Sequence, residues 1–374
     1  MTNIDYEDDE TYLTPEEKEE LEEPQPAAAP ITFRSQDFDV KGLVGRLENK
    51  DILVPRIRMT SAEQGVCDLN PFQRGFVWNN KQMDLFVESL LLEYPIPGLF
   101  LVQQADRRLL VLDGQQRLET LRRFYSGFNG DKKYRLRLAG SKFDGLSYDE
   151  LPERYRRIID NTYITTTVIV LDNRPESKNA VYDVFKRLNS GGTQLTPHEI
   201  RMALYNGELM NLVDRSNIRP SWRKLYGSAQ LNKRFRDHEL VLRIIALYLE
   251  EQSYTKPLGG FLNSFADKYR NGSQSELTTA LGLFDKTADI IAASDVPHPF
   301  FMTDRKQLNT ARAESIMIGC MHALHDGNGL NTSSIRQLLD GLNRNQEYVD
   351  SVTSATSDEA QVHKRISLVC KALS

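Results

Sequence analysis

The chain has 374 residues, of which 40% are hydrophobic and 26% charged, ordinary globular usage with ample length for buried cores. It holds no run of about 18 apolar residues, which excludes a helical membrane span, and its acidic start lacks the basic, apolar and small-residue order of a secretory leader. Three cysteines, Cys67, Cys320 and Cys370, lie too far apart for a disulfide framework or a cysteine zinc cage, so a cytoplasmic protein of two or three domains is expected.

The formal net charge of −5 averages two unlike parts. Residues 1–30 hold 11 acidic residues and one base, Lys18, leaving the rest of the chain at +5. The acidic stretch runs into Pro24-Gln-Pro-Ala-Ala-Ala-Pro30. Such a composition buries too little apolar surface to fold alone, so a disordered acidic tail is expected over residues 1–35. It reads as a solubilising leader or as a mobile polyanion that competes with nucleic acid for a basic groove.

Residues 36–175 mix short strands, turns and helices. Met83, Phe86, Val87, Leu90 and Leu91 recur at helical spacing between Gln82 and Tyr94, and Pro95 and Pro97 end that helix. Gly98 to Gln103 and Leu109 to Leu112 read as buried strands joined by the turn Asp106-Arg107-Arg108. A helix follows Asp113-Gly114, with Leu118, Leu121 and Phe124 on one face. Lys133 to Leu138 alternates like a half-exposed strand. Thr162 to Leu171 is β-branched and reads as a central strand.

Residues 176–374 are helical in pattern. A helix over Ser177–Leu188 ends at Asn189-Ser190-Gly191-Gly192. Thr196-Pro197-His198-Glu199 then has the residues of a capped helix start. Further helices are expected near 237–252, 258–270, 275–293, 309–325, 332–344 and 360–372.

Three constellations carry chemistry. Asp113-Gly114-Gln115-Gln116-Arg117 sits where a strand ends and a helix starts. Free N–H groups there make an anion site, Gly114 permits close backbone approach, and Arg117 supplies a planar fork suited to phosphate. A capped helix with a solvated first turn fits the same residues. In Asn70 to Trp78, aromatic Phe72, Phe76 and Trp78 alternate with Gln73 and Arg74, a pattern that stacks a base and grips its phosphate. Aromatics anchored in the core with Arg74 in an ion pair fit it too. Phe185-Lys186-Arg187-Leu188-Asn189 leads through Gly191-Gly192 to Thr196, either a second phosphate-facing loop or one helix cap followed by another.

Together these segments resemble the N-terminal domain of GmrSD-type restriction endonucleases, in the ParB/sulfiredoxin-like superfamily. The resemblance rests on Phe72-Gln73-Arg74 with Val77-Trp78, Tyr94-Pro-Ile-Pro97, Asp113 to Leu118, Phe185 to Ile200, and Arg236 to Arg243. It implies an α+β fold, a small mixed sheet with helices over residues 36–175, followed by an all-helical domain over 176–374. It also implies binding and hydrolysis of a nucleoside triphosphate in bacterial defence against foreign or modified DNA. On that reading Asp113, Gln115, Gln116 and Arg117 are catalytic. Gln73, Arg74, Gly114, Lys186, Arg187 and Asn189 bind nucleotide. Mg²⁺ is the expected cofactor, with Asp113 either holding it through water or orienting the attacking water. DNA and a separate nuclease or other defence protein are the expected partners.

Larger members of the family carry a second, His-dependent metal nuclease domain. Here only His298-Pro299 and His322-x-x-His325 concentrate histidine, with no third ligand apparent for the second pair, so a stand-alone member without that domain is expected. Basic clusters at Arg107/Arg108, Arg122/Arg123, Lys132/Lys133/Arg135/Arg137 and Arg154/Arg156/Arg157 are most simply solvated faces, and no DNA-binding residues are assigned. Two other functions fit the sequence: a nucleotide-gated switch that closes on DNA or protein without hydrolysis, and a degenerate member whose helical half docks a partner.

Overall fold

The structure is a computed structural model that describes residues 15–22, 30–54, 78–104, 106–171, 174–188, 196–232, 234–302 and 308–373. The chain divides into two compact units, residues 26–194 and residues 1–25 with 195–374. The expected boundary at 175/176 differs from this division, because the helix after it belongs with the sheet.

After helix α1 (Pro15–Glu22), the sheet unit contains β1 (Thr32–Asp39), α2 (Val40–Glu48), β2 (Ile52–Leu53), α3 (Asn80–Leu91), β3 (Leu99–Gln103), β4 (Leu109–Asp113), α4 (Gln115–Ser126), β5 (Phe128–Asn129), β6 (Lys132–Lys133), α5 (Glu153–Asp160), β7 (Tyr163–Val170) and α6 (Pro175–Leu188). Five strands form a mixed sheet in the order β1-β7-β3-β4-β2. β7 is antiparallel to β1 and parallel to β3, β3 is antiparallel to β4, and β4 is parallel to β2. The β-branched run therefore lies inside the sheet, with Ile164, Thr166 and Val168 buried on one face and Tyr163 and Thr165 exposed on the other.

Alternation sorts the strand side chains. Leu99, Leu101, Leu109, Val111, Ile164 and Val168 face a core built with α2 to α5. Leu110 and Leu112 point the other way, where α6 meets β4. In α2 the stripe Val40, Leu43, Val44, Leu47 is buried, and Asp39 caps the helix by accepting from the Gly42 N–H at 2.7 Å. In α3 Asn79 and Gln82 cap each other's backbone, and Met83, Phe86, Val87, Leu90 and Leu91 are buried. The expected strand over 133–138 is mostly not one. Only Lys132–Lys133 pairs, with Phe128–Asn129. Tyr134, Leu136 and Leu138 are buried as the alternation required, but their backbone turns back on itself, Leu136 donating to Leu146 O and accepting from Gly145.

The other unit holds α1 with α7 (Pro197–Leu204), α8 (Glu208–Asn217), α9 (Pro220–Tyr226), α10 (Arg236–Glu250), α11 (Leu258–Lys268), α12 (Ser275–Ala293), α13 (Thr310–His325), α14 (Thr332–Arg344), α15 (Gln346–Thr353) and α16 (Glu359–Leu373). The pattern did not separate α8, α9 and α15, each ten residues or shorter. The mixed sheet with helices followed by a mostly helical region is the architecture expected. Residues 15–22, expected within a disordered tail, form α1. Its carboxylates explain the difference: Glu17 accepts two hydrogen bonds from Arg236, at 2.8 and 3.0 Å, and Glu20 accepts from Arg201.

Candidate functional site

β4 ends at Asp113, directly opposite Phe100, and the β3–β4 register shifts just after that pair. Such a bulge re-aims the side chains beside it. The chain then reverses at Gly114, whose φ of +97° lies in the left-handed region, and α4 begins at Gln115. A side chain at 114 has no room. Its Cβ would lie 2.2 Å from Leu99 Cδ2 and 3.4 Å from the Arg117 guanidinium. No side chain caps α4. Its first N–H groups are therefore the kind of donors that anions occupy at helix starts.

Arg117 is the most constrained group of the turn. It is 9% exposed. One arm of its guanidinium holds the Asp113 carboxylate at 2.7 Å, and the other donates to the carbonyls of Pro97 and Gly98, the latter at 2.9 Å. Burial lowers its pKa from the ordinary arginine value, and the Asp113 charge opposes that shift. It stays charged at any working pH. Arg117 clamps the approach to β3 against the end of β4 and fixes where Asp113 points. Asp113 itself is 44% exposed at the side chain.

Gln116 turns back to accept from the Trp78 N–H at 3.2 Å, and Trp78 packs edge-on against Phe86 with ring centroids 5.6 Å apart. Gln115 is half-buried. The structure thus gathers Asp113, Gly114, Gln115, Gln116 and Arg117 at one turn, with Trp78 beside them. Gln73 and Arg74, four to five positions before Trp78, lie outside the described residues, as do Asn189 and the side chain of Lys186. Arg187 is exposed on α6. Sequence reasoning missed the Pro97 and Gly98 carbonyls, having read Tyr94-Pro-Ile-Pro97 only as a helix stop. Two prolines before a strand that starts beside a buried arginine were the available signal.

Among the described residues no group of three or more His, Cys, Asp or Glu is placed to hold a metal ion. His322, half-buried on α13, packs its ring 4.7 Å from that of Tyr248, and His325 is exposed. Among the same residues no helix is long and apolar enough to cross a membrane.

No curated protein and no solved structure matches the chain. One family model does, over residues 58–206, described as the GmrSD restriction endonuclease, N-terminal domain. That range contains the bulged strand end, the left-handed Gly114 and the clamped Arg117, and it is over residues 58–206 that the chain is similar to the GmrSD restriction endonuclease N-terminal domain family.

Proposed function

We propose that the sheet unit binds a nucleoside triphosphate at the first turn of α4 and hydrolyses it in the service of a restriction response to DNA. The observation that supports this reading is the start of α4: a helix with no side-chain cap, entered through a left-handed glycine at the end of a buried strand. Phosphates bind such starts through backbone N–H groups and the helix dipole. Gln115, on the first turn, orients the attacking water. Arg117 acts through Asp113, holding its carboxylate in place. Asp113 suits Mg²⁺, since one exposed carboxylate completed by water and substrate phosphate oxygens is a common set for that ion, and Mg²⁺ when bound neutralises charge on the phosphates. DNA is the expected effector, with a separate nuclease or other defence protein as partner.

One observation favours the second reading, a switch that binds nucleotide without turnover. Arg117 is committed to Asp113 and two carbonyls. Neutralisation of the leaving phosphate then falls to Arg74. The test is phosphate release from each NTP with Mg²⁺, with and without DNA. Wild type is compared with Gln115→Ala and Arg74→Ala, variants that leave the Arg117 clamp intact. Turnover that falls at least tenfold in both variants supports the enzyme. Nucleotide binding without phosphate release supports the switch, and binding unaffected by Gln115→Ala removes the site from α4.

A further inference from the structure

We propose a second, separate ligand site in the sheet unit: a pocket at the far end of β4 that takes the terminal phosphate of a nucleotide-sized ligand. The pocket measures about 520 Å³, within the usual range for small-molecule sites. Arg34, Gln36, Arg46, Asp51, Gln103 and Arg107 line it, over a floor that includes Phe38 and Leu109. Leu109 opens β4 and Asp113 closes it, so about 13 Å of strand separates this pocket from the α4 turn.

The arginines are the first argument. Among the described residues, Arg34, Arg46 and Arg107 make no ion pair, although most of the other described arginines do. Arg46 lies over the Phe38 ring at 5.2 Å, which fixes its plane without using its N–H donors. Three guanidinium groups face one carboxylate, Asp51, leaving the pocket with an excess of two positive charges. A phosphate monoester carries nearly that charge at neutral pH, with three acceptor oxygens for forked donors.

The turn that carries Arg107 is the second argument. Arg107 has φ +68°, a conformation that favours glycine or asparagine. Its neighbour Arg108 is held by Asp106 through both its N–H and its side chain, at 3.0 and 2.6 Å. The turn therefore ties down one arginine and spends backbone strain on presenting the other. Strain kept at a concave, charged place points to function. The third argument concerns the rest of the ligand. Gln36 and Gln103 line the pocket with amide groups, and Asp51 adds a carboxylate. Acceptors beside a phosphate subsite fit a ligand with hydroxyl or amine donors, as a nucleoside has.

Free 5′-nucleotide and the 5′-phosphate end of a DNA strand share this chemistry. The experiment is titration calorimetry of the full chain with AMP, and with a single-stranded hexanucleotide bearing or lacking a 5′-phosphate. Proteins are wild type, Arg107→Gly, Arg107→Lys, Arg34→Ala and Gln115→Ala. Arg107→Gly removes the guanidinium while relieving the positive φ, so a loss of binding in it is not a loss of folding. The expected result is saturable binding that weakens at least tenfold in Arg107→Gly and Arg34→Ala, partly in Arg107→Lys, and not in Gln115→Ala. AMP binding identifies a free nucleotide as the source. Binding confined to the 5′-phosphorylated strand identifies a DNA end. No saturable binding of either probe, or binding that Arg107→Gly and Arg34→Ala leave unchanged, overturns the site. Binding lost only in Gln115→Ala assigns the phosphate to the α4 turn instead.

Discussion

In the helical unit most buried charged side chains are ion-paired, Arg312 being held by the Pro299 carbonyl instead, whereas in the sheet unit three arginines without an ion pair line a concave strand end. Glu314, fully buried, is held by Arg243 at 2.6 Å and Arg365 at 2.8 Å. Arg223 meets Asp237 at 2.6 Å, and Arg234 meets Glu199 at 3.1 Å. Arg201, with no exposed side-chain surface, is shared among Glu20, Glu239, Asn263 and His198. Buried ions need such partners, because desolvation exceeds what an unpaired charge recovers. Arg34, Arg46 and Arg107 are exposed and have water instead, so they remain available to a ligand. The contrast separates arginines that hold the fold from arginines that wait for a phosphate, and Arg117 shows that motif membership alone does not decide between them.

The largest expected effect lies in the closed sets. Glu314→Gln leaves the buried Arg365 and the half-buried Arg243 without their carboxylate and should destabilise the helical unit by about 3–5 kcal/mol. Urea unfolding followed by helical circular dichroism measures it. A loss under about 0.5 kcal/mol would break the comparison, showing that the buried charges are not interdependent. Next comes the turn itself. Gly114→Ala must accept both a φ of +97° and the Leu99 overlap, at a cost of about 2–3 kcal/mol. It should remove nucleotide binding at α4 while leaving AMP binding at the Arg107 pocket. Loss of both ligands together would merge the two sites into one.

Much of this was legible in the sequence, for reasons that also mark where legibility stopped. The Met83 to Leu91 stripe and the β-branched 163–170 run are periodic signals that burial on one or both faces enforces, and both became the elements expected. The Thr196–Glu199 cap is local chemistry and is present with both hydrogen bonds, at 3.1 and 2.6 Å. The role of Arg117 was not legible, because its partners Pro97 and Gly98 lie 20 and 19 positions away and act through backbone carbonyls. Nor was the Arg34–Arg46–Arg107 pocket, assembled from a strand, a helix end and a turn that only the sheet register brings together. The Lys133–Leu138 alternation was read correctly as burial and wrongly as a ladder, since period two reports which side chains point inward and not what the backbone pairs with.

The smallest effect is a pH dependence set by opposing titrations in the Arg201 cluster. Arg201 can only donate, so His198 Nδ1 accepts from it at 3.2 Å. His198 Nε2 must then carry its proton toward His238 Nδ1, 2.9 Å away, and His238 Nε2 donates to Met210 O at 3.1 Å. Both rings are neutral, and no site is left for another proton. Burial accordingly lowers the pKa of each, helped at His198 by the charges of its neighbours and opposed at His238 by Asp214. Burial also pushes the Glu239 carboxyl up to about 7, against the pull of Arg201 and with the push of Glu20. Below about pH 6.5 the unfolded chain takes up two histidine protons that the folded chain refuses, so stability falls as pH falls. Between about pH 4.5 and 7 folded Glu239 keeps a proton that the unfolded chain releases, which opposes that loss. Stability should therefore fall as pH falls below about 6.5, by less than the histidines alone would give. Glu239→Gln keeps a partner for Arg201 and removes the opposing titration, so the same measurement should give a steeper slope. A slope unchanged by that substitution would show that Glu239 is ionised in the fold, and that the acidic helix α1 lies against a cluster with one more negative charge than the geometry supports.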